Sequence, residues 1–262
     1  MTKVFLNLVS VIGAKTLSYC SAIGRFSLFT GQFFRALFTK KLKVSKLFHQ
    51  IERIGVNSLL ISSITGFFAG AVLALQSYKG FHMFGGEDLI GPVVSLTMTR
   101  ELGPVLTGLM VAGRCGSAIA AELGTMRITE QIDALKTLCI NSYQYLIIPR
   151  ILAATFILPL LTLFAMAFGI FGGWVIFVWV LGFNGEEYLT GIHEFVEMKD
   201  VVGGMIKASV FGFILSSVGS YKGFFTRGGA KGVGLATTES VVVSSIIIII
   251  SNYFLAVIIF GP

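Results

Sequence analysis

The sequence predicts an all-α membrane protein with an N-terminal interfacial helix, five transmembrane helices, and a short cytoplasmic helix between the second and third of these. Of its 262 residues, 55% are apolar and only 13% are charged. An average soluble domain carries about a quarter of its residues as Asp, Glu, Lys and Arg. The charges also flank long uncharged runs. These observations exclude an ordinary soluble enzyme and a disordered chain.

Residues 1–53 form a basic, amphipathic segment before the first span. Near the N-terminus, one helical face carries Val4, Leu8, Val11 and Ile12. Further along, beside Arg25 and Arg35, the apolar character continues through Phe26, Phe29, Phe33 and Phe34. This pattern favours a helix that lies in the membrane interface. A polybasic tail attracted to anionic lipid is the alternative. A signal peptide fits less well, because Asn7 and Ser10 interrupt the apolar core.

The remaining chain, residues 54–262, contains five stretches long enough to span a bilayer. Their approximate bounds are 54–78, 89–113, 146–183, 201–221 and 240–260. The 35 residues from 151 to 185 carry no charge, which corresponds to about 52 Å of helix at 1.5 Å per residue. That length is too short for two spans and a turn, so we expect one long helix that is tilted or kinked. Pro159 is the candidate position for a kink.

The orientation follows from the basic residues near the span ends. Nine Lys and Arg residues and one acid precede the first span. The loop 222–234 has three basic residues and no acid, whereas the segment 186–200 has five acids and one lysine. These asymmetries predict a cytoplasmic N-terminus and an external C-terminus.

Two features lie within the apolar stretches. Arg100 and Glu101 interrupt the second one, and ionisable groups at membrane depth usually face a partner or a wet cavity. They indicate a polar patch beside a substrate path or at a subunit contact, a structural ion pair, or a pair at the membrane edge with only the second half of the stretch fully buried. Gly66 and Gly70 in the first span allow a close helix approach, either to another subunit or within the chain.

The segment 114–136 between the second and third spans is rich in charge. Thr129 is positioned to cap a short helix that starts near Glu130 and has Ile132 and Leu135 on one side. An amphipathic helix here suits a docking element for a soluble partner. A solvated connecting helix is the alternative.

Several activities lack their motifs in this sequence. There is no Walker A pattern, and the glycines from Gly228 to Gly234 follow no strand and precede no Gly-Lys-Ser/Thr. The spans contain no Ser-His or Asp-Asp pair, which argues against intramembrane proteolysis. Three cysteines and three histidines are scattered along the chain, so we expect no metal site. Because the ATP-binding and hydrolytic motifs are missing, we also expect no cofactor and no enzymatic activity in this chain. The net charge is +7, but the basic residues flank apolar stretches and so do not indicate nucleic-acid binding.

Long motifs resemble the MlaE family of permeases, the membrane subunits of ABC transporters linked to MCE proteins. They read Thr-Arg-Glu-Leu-Gly-Pro-Val over 99–105, Ala-Glu-Leu-Gly-Thr-Met-Arg over 121–127, and Thr-Glu-Gln-Ile-Asp-Ala-Leu over 129–135. The resemblance covers roughly residues 45–262. The sequence departs from it at Asn252, where many relatives have Asp, and at Glu239, where some have Arg.

The resemblance implies a homodimeric inner-membrane permease that moves phospholipid or a related lipid between the inner membrane and a periplasmic MCE protein. ATP would be bound by a separate cytoplasmic ATPase dimer, and a small STAS-domain subunit often accompanies such permeases. The implied lipid-binding residues are Leu73, Leu75, Gln76, Tyr78, Phe81, Arg100 and Glu101. The implied ATPase-coupling residues are Glu122, Arg127, Glu130, Asp133 and Leu135. A small-solute ABC permease and a membrane scaffold or channel without energy coupling are the alternatives.

Overall fold

The computed structural model describes residues 2–39 and 44–261, and every regular element in these ranges is helical. The α-helices are α1 (Thr2–Thr39), α2 (Val44–Phe81), α3 (Ile90–Thr97), α4 (Gly103–Val111), α5 (Ser117–Ile128), α6 (Gln131–Thr137), α7 (Ile148–Val175), α8 (Gly185–Phe195), α9 (Met198–Phe224) and α10 (Gly229–Phe260). Four π-helical turns adjoin them, at Met98–Leu102, Ala112–Gly116, Tyr143–Ile147 and Ile176–Val180.

Five helical segments of the described chain are long and apolar enough to cross a membrane. They are Ser45–Phe84, Glu87–Ile128, Tyr143–Val180, Met198–Phe224 and Gly229–Phe260, and we number them spans one to five. Each coincides with one predicted apolar stretch, which confirms the all-α membrane fold. The third is a single long helix that continues through Pro159, as expected.

The helices continue beyond the uncharged runs. Helix α2 begins at Val44 and passes residue 53 without a break. Span two continues to Ile128, although its uncharged character ends near residue 113. Hydrophobicity marks the part of a helix that suits lipid, whereas backbone hydrogen bonds let the same helix project into water.

Close packing between α2 and α7 is built on glycine. A Cβ atom at Gly66 would meet the carbonyl of Ala165, and one at Gly70 would meet the carbonyl of Gly169. The two glycines therefore face a helix of the same chain, as in the intramolecular alternative. On this face of α2 the glycines thus serve packing within the chain and not the approach of two subunits.

Helix α1 packs on the bundle through two phenylalanines. Phe29 and Phe33 are each only 2% exposed and join an apolar cluster with Ile147, Ile151 and Phe224. Phe34 is 45% exposed on the adjacent side of the helix. The face predicted from Val4, Leu8, Val11 and Ile12 lies outside the side chains that the structure describes.

Helix α8 follows span three in the sequence and is anchored to α7 by Tyr188. Its side chain is fully buried, and its hydroxyl donates to the carbonyl oxygen of Ile170 at 3.1 Å. Burial raises the pKa of Tyr188. Asn184 caps the helix by accepting from the backbone N–H of Glu186 at 3.0 Å.

Candidate functional site

Arg100 in span two forms an ion pair with Asp200 at the start of span four. The Arg100 Nε donates to the Asp200 Oδ1 at 2.8 Å, and the Asp200 side chain is only 2% exposed. The other carboxylate oxygen, Oδ2, accepts from the backbone N–H of Glu197 at 3.0 Å and closes the capping box of α9. Asp200 therefore caps the N-terminus of α9 and neutralises Arg100 at the same time.

Lys207 lies deeper in α9 and connects span four to span two. Its side chain is fully buried, and its Nζ donates to the Glu101 Oε1 at 2.6 Å and to the Arg100 carbonyl oxygen at 2.9 Å. From span five, the Asn252 Nδ2 donates to the Glu101 Oε2 at 2.8 Å. The ring of Phe260 covers the ammonium group of Lys207, with its centroid 5.1 Å from Nζ.

The π-helical turn Met98–Leu102 carries both ionisable residues of span two. A π turn interrupts the regular hydrogen bonding of an α-helix, and here the Arg100 carbonyl accepts from Lys207. Arg100 and Glu101 thereby face different partners, and the four charges balance. Arg100 and Glu101 thus each belong to a structural ion pair, with Asp200 and with Lys207 and not with each other. The side chains of Arg100 and Glu101 nevertheless remain 41% and 39% exposed within the single chain.

The five predicted lipid-binding residues of α2 divide into two groups. Leu73, Tyr78 and Phe81 pack partly against an apolar cluster of α3, α7 and α8, and the Tyr78 ring stacks on His82 with centroids 4.8 Å apart. Leu75, at 38%, and Gln76 are exposed. Arg100 and Glu101 bond to spans four and five instead. Within one chain, the structure therefore does not join them to these α2 residues by hydrogen bonds.

An exposed apolar face runs along α2. Its residues recur at helical spacing, and their exposed fractions lie between 38% and 63%: Ile61, Ile64, Phe68, Val72 and Leu75. Leu75 belongs to this face and Leu73 does not. A continuous apolar face of this kind suits contact with acyl chains or with another membrane helix.

Glu122 holds three helices together at the opposite end of the bundle. Its Oε2 accepts from the Arg53 NH1 and its Oε1 from the Arg150 NH2, each at 2.8 Å. Arg150 is 5% exposed and also donates to the carbonyl oxygen of Leu146. The structure thus places Glu122 inside α5, bonded to the first and third spans.

The other predicted coupling residues surround the corner between α5 and α6. Arg127 donates to both oxygens of Asp133, at 2.7 and 2.9 Å, and Lys136 donates to Oδ1 at 2.8 Å. The hydrogen bonds from Lys136 and then Arg127 lower the pKa of Asp133. Ile132 is fully buried, and Leu135 packs partly on the same apolar cluster.

The short helix exists, but the predicted cap is wrong. Helix α6 begins after Glu130, which adopts a left-handed φ of 60° and makes no side-chain cap. The Thr129 hydroxyl donates back to the carbonyl of Thr125 at 2.8 Å, so it finishes α5 and does not start α6. The backbones of Thr129 and Glu130 form a sharp corner whose side chains are exposed.

Sequence reasoning missed the partners in these networks. Asp200 was one of several acids in an external segment, and Lys207 was a lone charge in span four. A lone charge in a span is a signal for a buried partner, but it does not identify that partner. Asn252 marked a departure from the family and turns out to bond Glu101.

Five membrane-length helices, joined at two levels by ion pairs and by the hydrogen bond from Asn252, define this chain as a multi-pass helical membrane protein. The chain belongs to the MlaE permease family, because the family described as permease MlaE matches residues 47–258.

Relatives extend the match over nearly the whole chain. A probable ABC transporter permease protein of Rickettsia bellii is 48% identical over 250 residues, which cover 95% of this chain and 96% of the relative. The intermembrane phospholipid transport system permease protein MlaE of Haemophilus influenzae is 33% identical and covers 98% of both chains. The chloroplastic protein TRIGALACTOSYLDIACYLGLYCEROL 1 of Arabidopsis thaliana is 38% identical over 87% of this chain and 65% of its own.

Proposed function

We propose that this chain is the permease subunit of an inner-membrane ABC transporter that moves phospholipid, or a related lipid, to or from a periplasmic MCE protein. The observation that carries the proposal is the full-length match to a permease named for intermembrane phospholipid transport. The chemistry of the spans supports it, because their strongest polar groups satisfy one another and leave an apolar face on α2. Such a face suits acyl chains better than ions or sugars.

The lipid path would lie where two copies of the chain meet along the outer half of α2. Leu75 and Gln76 would face the lipid directly, while Leu73, Tyr78 and Phe81 would shape the wall behind them. The partly exposed edges of Arg100 and Glu101 would supply the polar end. A pocket that is apolar along the tails and polar at one end fits a phospholipid.

The corner between α5 and α6 would contact a separate cytoplasmic ATPase dimer. The Arg127–Asp133–Lys136 bonds fix its shape, and Ile132 and Leu135 fasten it to the bundle. Movement of the corner would therefore pass into the spans. Glu122, bonded to Arg53 and Arg150, would carry it to spans one and three. With this corner on the cytoplasmic side, the N-terminus would lie in the cytoplasm and the C-terminus outside, which agrees with the basic residues near the span ends.

Glu130 offers a specific test of this contact. It is exposed and in left-handed backbone, a conformation that Asn tolerates. We expect Glu130→Lys to reduce copurified ATPase and Glu130→Asn to reduce it less, with the folded permease retained. Asp88→Lys, an exposed acid on the opposite side of the bundle, is the charge-matched control. Equal ATPase recovery in all four proteins would contradict this docking surface.

Copurification tests the proposed function as a whole. The tagged permease should retain an ATPase and an MCE-domain protein, with a STAS-domain subunit as a further candidate, and mass spectrometry should find phospholipid in the complex. An ATPase together with a soluble solute-binding protein would indicate a small-solute permease. Recovery of neither type of partner under conditions that keep the permease dimeric would contradict energised transport.

A further inference from the structure

A cavity of about 740 Å³ lies between α1, the start of span three, and the hairpin that joins spans four and five. It is at the end of the bundle that holds Lys222, away from Leu75 and the proposed lipid path. Its lining combines aromatic rings with three basic side chains: Arg25, Leu28, Phe29, Gln32, Tyr143, Tyr221, Lys222, Phe225, Thr226, Arg227, Gly232, Leu235, Ala236 and Glu239. No feature of the proposed transport path uses this cavity.

The aromatic wall is rigid and apolar. The Phe29 ring lies 5.5 Å from the rings of both Tyr143 and Tyr221, measured between centroids. The Phe225 ring lies 5.2 Å from Tyr221. Ring pairs at such distances stabilise one another by about 0.5–1.5 kcal/mol beyond their burial, so contacts within the chain hold this wall together.

The rim is apolar and open. Leu28 of α1 is 71% exposed, and Leu235 of α10 is 57% exposed. Both residues line the cavity and lie on helices with further exposed apolar side chains, such as Ile23 and Val242. The opening therefore borders exposed apolar side chains of α1 and α10.

The charges inside the cavity do not balance. Lys222 donates to the Glu239 Oε2 at 2.6 Å, so these two groups neutralise each other. Arg25 and Arg227 also line the cavity, and within the described part of the chain neither forms an ion pair with a carboxylate. Two cationic groups thus face one cavity without a counter-charge. An arginine in such a position favours a phosphate oxyanion, which its guanidinium can bind bidentately.

We propose that this cavity binds the phosphate headgroup of an anionic phospholipid from the membrane leaflet on the basic side of the bundle. Arg25 and Arg227 contact the phosphate, the rings of Tyr221 and Phe225 pack beside the glycerol, and the acyl chains leave over Leu28 and Leu235. Because Arg25 belongs to α1 and Arg227 to the loop before α10, the lipid joins α1 to the hairpin. This site requires only that the basic end of the bundle meets a membrane, and it is independent of the transported substrate.

The affinity of the full-length protein for single phospholipids tests this site. Purified protein in detergent is titrated with dioleoyl phosphatidylglycerol or dioleoyl phosphatidylcholine, and bound lipid is counted by native mass spectrometry. We expect tighter binding of phosphatidylglycerol. Arg25→Gln and Arg227→Gln should each weaken it about fivefold, as expected for one cation near an anionic headgroup. The double variant should weaken it more than either single variant, with a non-additive part because both arginines contact the same phosphate.

Two further variants distinguish a specific site from general attraction. Lys231→Gln removes one exposed charge from the same hairpin outside the cavity lining, and we expect it to leave the affinity unchanged. Arg25→Lys with Arg227→Lys keeps the charge but loses the bidentate guanidinium, so its affinity should lie between those of the wild type and the double glutamine variant. Equal weakening by Lys231→Gln, or unchanged binding in the double glutamine variant, would overturn the proposal.

A soluble competitor distinguishes a lipid from a free phosphate. Glycerol phosphate has the same anionic group without acyl chains, so we expect it to displace phosphatidylglycerol poorly. Displacement at equal concentration would identify a site for soluble phosphate and overturn the lipid assignment. Lipid capture by a photo-crosslinker at Leu75 should be unchanged in the double glutamine variant. Failure at the cavity and failure of the proposed transport path are therefore separate outcomes.

Discussion

Lys207 and Glu101 form a 2.6 Å ion pair in which the lysine side chain is fully buried and the glutamate is 39% exposed. The two residues lie 106 positions apart in sequence, and their pair joins spans two and four. Its geometry is completed by the Arg100 carbonyl on the lysine and by Asn252 on the glutamate. A buried charge of this kind is costly unless it is paired and hydrogen-bonded, so the two residues depend on each other.

Lys207→Met should therefore destabilise the folded permease. Removing one partner of a buried pair costs about 3–5 kcal/mol, and we expect about 3 kcal/mol because Glu101 is partly exposed. Adding Glu101→Gln should restore part of this loss, since a neutral amide can still accept from Asn252. Unfolding in detergent measures both effects. A double variant that is less stable than Lys207→Met would contradict the coupling between the two residues.

Gly70→Ala should separate α2 from α7. The new Cβ would meet the backbone carbonyl of Gly169, and backbone cannot move aside as a side chain does. Overpacking typically costs about 1–3 kcal/mol. Gly80→Ala on the same helix is the matched control, because nothing lies within 4 Å of its Cβ position. It should be neutral or stabilising by about 0.5–1 kcal/mol. Equal melting temperatures for the two variants would contradict the proposed contact.

The sequence predicted the spans well because lipid selects long uncharged runs, a property that composition shows directly. Helix continuity through residues 44–53 and 114–128 was not expected. Charged residues mark the end of the apolar stretch, but they do not interrupt the backbone hydrogen bonds of the helix. The α7 partner of Gly66 and Gly70 had its own signal in Ala165, Gly169 and Gly173, which recur every fourth residue.

The polar contacts of the site were harder to predict from the sequence. Arg100 and Asp200 are separated by 100 residues, and no local spacing indicates which of several external acids approaches the arginine. Neighbours on a regular helix point about 100° apart, which argued against a shared partner for Arg100 and Glu101. Lys207 reaches both residues because it donates to the backbone carbonyl of Arg100, which lies in the π turn, and to the side chain of Glu101. Predictions of individual lipid contacts and ATPase contacts remain untested.

The corner between α5 and α6 should loosen in acid. Hydrogen bonds from Lys136 and Arg127 lower the pKa of Asp133. Its folded-state pKa thus lies below the unfolded one, so its stabilising contribution is present at neutral pH and is lost as the pH falls through the lowered pKa. Asp133→Asn should reproduce the loss at neutral pH. Amide hydrogen exchange over Gln131–Thr137 measures it, and protection equal to the wild type in Asp133→Asn would contradict this role.

Lipid capture along α2 should depend on which face carries the probe. A photo-crosslinker at Leu75 on the exposed face should capture phospholipid in cells, whereas one at Leu73, which packs towards α3 and α7, should capture less. Leu163 on α7 is the control, because its exposed fraction is 38%, the same as that of Leu75. A difference between these two positions therefore reports a particular lipid site and not general contact with the bilayer.

Leu75→Glu should impair transport, because an unpaired carboxylate facing acyl chains is costly to desolvate. Leu163→Glu places the same charge at equal exposure outside the proposed path and should impair transport less. Reconstituted protein with its ATPase and MCE partners allows both rates to be measured beside the amount of folded permease. Equal capture at Leu75 and Leu163, together with equal loss of transport, would mean that both residues meet only bulk lipid. The transported lipid would then have to follow a surface other than the exposed face of α2.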